Sequence, residues 1–473
     1  MLIKMGVGIL LMGSLWIDGI GFSFFYKKNR RKSSMNSLER IFNEKLTENG
    51  DKSYKSTGND LLDILFMTSY YEKHIEELDG KIGTSDKDKL FARFIRDPRH
   101  GLGRRDLGRA LMYLAEVKPY DIVKSGRFDD LLTTGRIIDV IVMVQEARLG
   151  NELAKKWLPR LNSKDRDLAK AICKEFDLTE KEYREMIKCD TTESKLSSHR
   201  TDEIKFEQVP SLAMIKYYDR FKRGEDTKDR FEAYLESVKK GEKELKVSTT
   251  TVYDIYKNRE KIDADLFFDK LEKIEISCVP ILDTSGSMWD SNDSIGKAIS
   301  IAHYLAKCTT YCRGYVISFS DNPKLMKIEE KTDKSLYWNN YGFFGDESKY
   351  CRELNSMFTG DVGSTNFGKV MELLETLHDL PEYLVVLSDM EFNIGSHESK
   401  KKLQRLWKEK GYTTKIVWWN FNSRNTTVPE MDEMGNIYLS GYSPMLLKYL
   451  EVGFDGEAFL NKLLKEYKKA LTK

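Results

Sequence analysis

Two hydrophobic periodicities divide the chain. Up to about residue 270, apolar positions recur at the spacing of amphipathic helices. Leu61-Leu62-Asp63-Ile64-Leu65-Phe66-Met67 opens one such run, with Asn59 or Asp60 placed to cap it. Similar runs cover residues 137–149, 152–158, 164–176, 180–188, 211–221 and 228–239. Between Phe91 and Leu111 the pattern breaks at Pro98, Gly101 and Gly103, which ends one helix, and a second begins near Arg104. Short helices joined by polar turns predict an α-solenoid of stacked, HEAT-like pairs, although no fixed repeat period is visible.

Beyond a lysine-rich run at 239–243, residues 249–256 bridge into a different pattern. Strand-like runs at 274–283, 314–319, 383–389, 413–421 and 436–439 alternate with helical runs at 295–308, 367–378, 398–410 and 456–471. That alternation predicts a mostly parallel sheet with helices on both faces. The fold class expected is therefore α + α/β, with a helical-repeat domain over 35–270 and an α/β domain over 271–473. Residues 337–351 are rich in aromatics and lack a period, as an insertion near the ligand-binding end of the sheet or a loop packed by its own rings would.

Residues 1–34 fit neither pattern. Val7 to Tyr26 is apolar and glycine-rich but interrupted by Asp18, and Lys27-Lys28-Asn29-Arg30-Arg31-Lys32 follows. Taken literally this is a short membrane anchor with a basic flank. It is a poor signal peptide, because no small-residue cleavage site follows and the charge lies on the wrong side. A start at Met35, with over-extension upstream, is the other reading. The 473 residues carry a formal net charge of +2, so any nucleic-acid surface must be local. Six cysteines without a Cys-x-x-Cys pair read as reduced thiols of a cytoplasmic protein.

The chemistry concentrates at Ile281-Leu282-Asp283-Thr284-Ser285-Gly286-Ser287-Met288. Asp283 closes an apolar strand, and Ser285 and Ser287 flank a glycine, so one turn aims both hydroxyls at one point. Downstream come Thr365, in Gly360-Asp361-Val362-Gly363-Ser364-Thr365-Asn366-Phe367, and Asp389, which ends Tyr383-Leu384-Val385-Val386-Leu387-Ser388-Asp389. In this order the five positions resemble the metal-ion-dependent adhesion site of von Willebrand factor A domains. The resemblance implies a doubly wound α/β domain in which Ser285, Ser287 and Thr365 supply hydroxyl ligands. Asp283 and Asp389 would act largely through water. Hard oxygen donors with retained water suit Mg²⁺, and Mn²⁺ can substitute.

A second resemblance covers nearly all of Met35 to Lys473. Gly101-Leu102-Gly103-Arg104-Arg105, Gly126-Arg127-Phe128-Asp129-Asp130-Leu131-Leu132 and Val209-Pro210-Ser211-Leu212-Ala213-Met214 resemble the Ro autoantigen (TROVE) module. Val417-Trp418-Trp419-Asn420 and Ser440-Gly441-Tyr442-Ser443-Pro444 are similar to a related family of unknown function with the same architecture. This likeness implies a ring of helical repeats closed by the metal-site domain. Single-stranded RNA ends would enter the ring, and structured RNA would lie on a basic outer face. Arg93, Arg96, Arg99, Arg104, Arg105 and Arg109 form the local cluster available for phosphate, unless they pair with Asp97, Asp106 and nearby acids. His100 reads as a turn residue.

Two other readings stay open. An acidic side chain of a protein partner completes the metal shell in adhesion-type domains, and the aromatic stretch with Trp338, Tyr341, Phe343 and Phe344 offers a contact surface. An enzyme would use Asp283, Asp361 and Asp389 around a metal to polarise phosphate. The sequence supplies no nucleophile–base pair, no P-loop and no histidine beside these residues, so a non-catalytic protein is expected. His303 falls on an apolar helix face and reads as a core residue.

Overall fold

The computed structural model of the chain describes residues 44–46, 52–97, 101–117, 137–150, 154–155, 158–163, 166–189, 191–247, 250–319, 322–328, 348–357, 367–376, 379–389, 405, 407–421, 430–431, 435–442 and 444–471. Residues 1–34, and with them the anchor question, lie outside these, as do Trp338, Tyr341, Phe343 and Phe344. No helix among the described residues is long and apolar enough to cross a membrane.

The amino-terminal half is helical after a short hairpin of β1 (Glu44–Leu46) and β2 (Lys52–Tyr54). It contains α1 (Asp60–Phe66), α2 (Thr68–Tyr71), α3 (Asp86–Arg96), α4 (Arg105–Leu114) and α5 (Ile137–Arg148). There follow α6 (Arg166–Glu175), α7 (Glu180–Met186), α8 (Thr192–Ser197), α9 (Ser211–Arg223) and α10 (Lys228–Lys239). The bridging segment is itself helical, as α11 (Val252–Asn258), and leads into α12 (Ala264–Lys270). Local chemistry sets these starts: Asn59 caps α1 by accepting from the Leu61 and Leu62 amides, and Ser85 and Asp88 form a capping box on α3. Between α3 and α4 the chain turns so tightly that a Cβ on Gly101 would lie 1.9 Å from the Phe94 carbonyl oxygen.

The carboxyl-terminal half carries β3 (Cys278–Asp283), β4 (Tyr315–Phe319), β5 (Lys324–Lys327), β6 (Tyr383–Ser388), β7 (Lys415–Asn420), β8 (Glu430–Met431) and β9 (Ile437–Ser440). They form one seven-stranded sheet in the order β5-β4-β3-β6-β7-β9-β8. Its inner pairs are parallel and its two outermost pairs antiparallel. The helices here are α13 (Ser294–Cys308), α14 (Lys349–Asn355), α15 (Phe367–Glu375), α16 (Pro444–Glu451) and α17 (Gly456–Ala470).

Strand alternation sorts the sheet's side chains into two layers. Val279, Ile281, Leu384, Val386, Ile416 and Trp418 face Phe367, Val370, Met371 and Leu374 of α15. The intervening Leu282, Val385, Leu387, Val417 and Trp419 join a larger core that contains α13, α17 and the amino-terminal helices. β3 and β6 are buried along their whole length, which is why both read as continuous apolar runs. The helical half is thus joined to the α/β half by side chains: Phe66 lies 5.0 Å from the Tyr449 ring, Phe94 5.4 Å from Tyr467, and the Tyr467 hydroxyl donates to Asp97 over 3.1 Å. Residues 143–187 hold a small core of their own, centred on Val144, Ala169 and Tyr183.

Candidate functional site

Asp283 ends β3 and is fully buried. Its Oδ1 accepts the Ser285 amide at 2.9 Å and its Oδ2 the Ser388 hydroxyl at 2.6 Å, so one carboxylate ties its own turn to the end of the neighbouring strand. The Thr284 amide donates to the Phe319 carbonyl at 2.9 Å and anchors the same turn to β4. Gly286–Met288 then curls into a single 3-10 turn, with Met288 buried beneath it. The outcome is that the Ser285 and Ser287 hydroxyl oxygens lie 3.2 Å apart. Asp389, also fully buried, follows β6 directly.

The electrostatics are those of a site short of positive charge. Burial pushes Asp283 up to about 6, Asp389 adds to the push, and the Ser388 and Ser285 hydrogen bonds oppose it. Two buried carboxylates at adjacent strand ends, facing hydroxyls, form a donor set that suits a hard divalent cation. No group of three or more His, Cys, Asp or Glu side chains among the described residues could hold a metal, so an ion here would rest on hydroxyl ligands as well. Four of the five expected positions, Asp283, Ser285, Ser287 and Asp389, come together at the carboxyl ends of β3 and β6, where parallel sheets bind ligands. Thr365, the fifth, and Asp361 lie outside the described residues.

Just beyond the turn, α13 begins under close control. Asp290 accepts from the Ser294 amide at 2.9 Å and from its hydroxyl at 2.8 Å. Asp293, in the left-handed region at φ 55°, accepts the Tyr253 hydroxyl of α11 at 2.8 Å. A Cβ on Gly296 would meet the Tyr256 ring at 2.4 Å, which measures how closely α11 and α13 approach. Tyr442 closes the assembly, its hydroxyl accepting the Tyr253 amide at 3.2 Å. Sequence reasoning passed over Ser388, Asp290, Asp293 and Tyr253. The available signals were a serine immediately before Asp389 and the tyrosine inside the Ser440–Pro444 motif.

The arginines whose side chains are described differ in their surroundings. Arg96 is buried, its stem against Gly108 of α4, where a Cβ would come 2.6 Å from the Arg96 Cβ. Arg104 pairs with Glu72 at 3.2 Å and is partly exposed. Arg93 is half-buried on α3. Arg99 and His100 lie outside the described residues, as do the side chains of Arg105 and Arg109. His303 is buried in the core and hydrogen-bonds Glu353 at 2.7 Å. The six cysteines are unpaired, and Cys308 and Cys312 share no helix face, because α13 ends at Cys308.

Residues 277–469 match a family model described as a domain of unknown function, DUF7788, and residues 150–277 match another such domain, DUF2828. The "Uncharacterized protein L728" of Acanthamoeba polyphaga mimivirus is 24% identical, over 86% of this chain and 84% of the relative. Among solved structures, the Deinococcus radiodurans RO (RSR) protein aligns with a TM-score of 0.40 and 11% identity, covering 87% of this chain and 96% of that one.

Proposed function

We propose that this is a non-catalytic, cytoplasmic RNA-binding protein of Ro-like type that carries an adhesion-type Mg²⁺ site. The observation that carries the metal half is the buried Asp283, braced by Ser285 and Ser388 beside a second buried aspartate and a pair of hydroxyls 3.2 Å apart. Ser285 and Ser287 would ligate directly, with Thr365 if its position follows the motif, and Asp283 and Asp389 through water. Bound Mg²⁺, or Mn²⁺ in its place, would supply positive charge and an open coordination position for an oxygen of the partner. The protein's own part is to pre-set the turn and hold both carboxylates in place beneath the site. The RNA half rests on the TROVE-like motifs and on Arg93 and Arg104, which reach the surface.

The test is fluorescence titration of the full chain with a single-stranded RNA and with a hairpin bearing overhangs, at two salt concentrations, in Mg²⁺ and in EDTA. The expected result is salt-sensitive binding, weakened by Arg104→Glu and by Ser285→Ala. Binding no stronger than that of an unrelated protein of equal charge overturns the RNA assignment.

The burial of Arg96 and the pairing of Arg104 with Glu72 favour a second reading, because they reduce the charge offered to phosphate. In it the metal site docks an acidic protein segment and RNA plays no part. Capture of a defined protein by the wild type in Mg²⁺, lost in EDTA and in Asp283→Ala, together with failed RNA titrations, supports that alternative.

A further inference from the structure

A buried charge cluster lies where α14 packs on α13, and neither half of the proposed function uses it. His303 of α13 has no exposed surface, and its Nε2 meets the Glu353 carboxylate of α14 at 2.7 Å. The other Glu353 oxygen accepts from Lys307, one turn along α13, at 2.7 Å. The Tyr350 ring of α14 stands 5.0 Å from the imidazole and the Phe268 ring of α12 4.6 Å from it. Lys273, just after α12, lies over that Phe268 ring at 3.8 Å. The titratable groups around His303 are therefore Glu353 and Tyr350 from α14, Lys307 from its own helix and Lys273 from the α12 side.

Geometry fixes where the protons sit. Burial works against the charge on Glu353, but the hydrogen bonds from His303 and Lys307 draw its pKa down to about 2, so it stays ionised. An ionised carboxylate only accepts, so Nε2 carries the donated proton and Nδ1 is the bare acceptor. That nitrogen is buried without a hydrogen-bond partner. A second proton would have to sit there as a buried N–H that nothing accepts, with the Lys307 and Lys273 charges opposing it. Burial accordingly holds the His303 pKa below its ordinary value, against the pull of Glu353.

The rest of the α14 contact mixes firm and unfinished bonds. Asp265 of α12 accepts the Lys349 and Tyr350 amides at 3.1 and 2.6 Å, and Leu354 and Met357 are fully buried. The Tyr350 hydroxyl, however, is buried without a partner. Two polar atoms on this contact, His303 Nδ1 and the Tyr350 oxygen, thus gain partners when water reaches them.

We propose that α14 is an acid-released clasp, which lies on α13 while His303 is neutral and lifts as His303 takes up a proton. Lifting opens Phe268, His303 and the underside of α14 to water. In the lifted form His303 titrates near its ordinary value of about 6.5, above its docked value. Docking is therefore fully supported above about pH 6.5 and weakens below it, by up to about tenfold per pH unit. Glu353 adds to the effect only below its ordinary value of about 4.3.

Hydrogen exchange of the full chain, corrected for intrinsic amide rates, tests this. The expected result is α14 protection lower than that of β3 and β6 throughout, falling by up to about 30-fold between pH 7.5 and pH 5. His303→Gln, whose amide keeps a donor toward Glu353 but does not titrate, removes that fall. A wild-type α14 whose protection is independent of pH overturns the proposal, and so does an undiminished fall in His303→Gln. Protection of α14 equal to that of β3 and β6 would show that it opens only with the whole core, and likewise overturns it. The first and last comparisons need only the wild type, so they decide the matter even where His303→Gln fails to fold.

Discussion

In the proposed metal site, Asp283 depends on a neighbour, Ser388, that would contribute no ligand. Ser388 donates its hydroxyl to Asp283 in a fully buried setting, and groups that orient a metal ligand typically control affinity by 10–100-fold. Ser388→Ala is therefore expected to weaken Mg²⁺ binding by roughly that factor, read by titration calorimetry, while the protein remains folded. His303 provides a pH signature. Burial holds its pKa below the ordinary value, so the ring stays neutral and is held by Glu353, itself drawn down to about 2 with Lys307 at 2.7 Å. A histidine buried neutral gives its full stability above its unfolded pKa of about 6.5 and loses it as the unfolded state takes up a proton below. Relative to His303→Gln, the wild type should lose up to about 2 kcal/mol between pH 7.5 and pH 5, measured by urea denaturation. At Gly108 the prediction is steric. Gly108→Ala drives a Cβ into the Cβ and Cα of Arg96 and should cost about 1–3 kcal/mol, and a paired Arg96→Ala should not restore the loss, because alanine keeps both atoms.

At the scale of elements, the turn at 284–288 is only as well placed as the start of α13. Asp293 holds a left-handed backbone and receives Tyr253 from α11. Tyr253→Phe leaves that carboxylate without its hydroxyl donor and is expected to lower stability by about 1–3 kcal/mol. A matching loss of Mg²⁺ affinity would show that α11 helps to set the turn, and unchanged affinity would show that the turn is independent. The strands of this region were legible in advance to within a few residues, because β3, β6 and β7 are buried on both faces and carry unbroken apolar runs. β5 was not, since its Lys324, Leu325 and Lys327 are exposed on an edge that buries nothing. α11 was hidden because a threonine-rich start reads as extended chain until Thr251 and Asp254 are seen to form a capping box. The turn at 284–288 was readable because its chemistry is local. The Tyr253–Asp293–Tyr442 assembly was not, because its members meet only in space.

Across the whole molecule, packing ignores the change of pattern near residue 270: one core runs from Leu61 to Tyr467. Residues 143–187 stand apart with their own smaller core. Hydrogen exchange is expected to reflect this, with α6 and α7 opening at lower free energy than β3 and β6. Uniform protection across both regions would refute a separable subunit of stability. The contact between Asp97 and Tyr467 spans 370 residues of sequence. At about 5–20 residues per second, a ribosome takes roughly 20–75 seconds to make that span. Through that interval α1 and α3 wait with Phe66 and Phe94 uncovered, because Phe459 and Tyr467 do not yet exist. The newborn chain is thus expected to carry uncovered apolar faces until its last helix is made, and that helix acts as the stopper that ends the exposure.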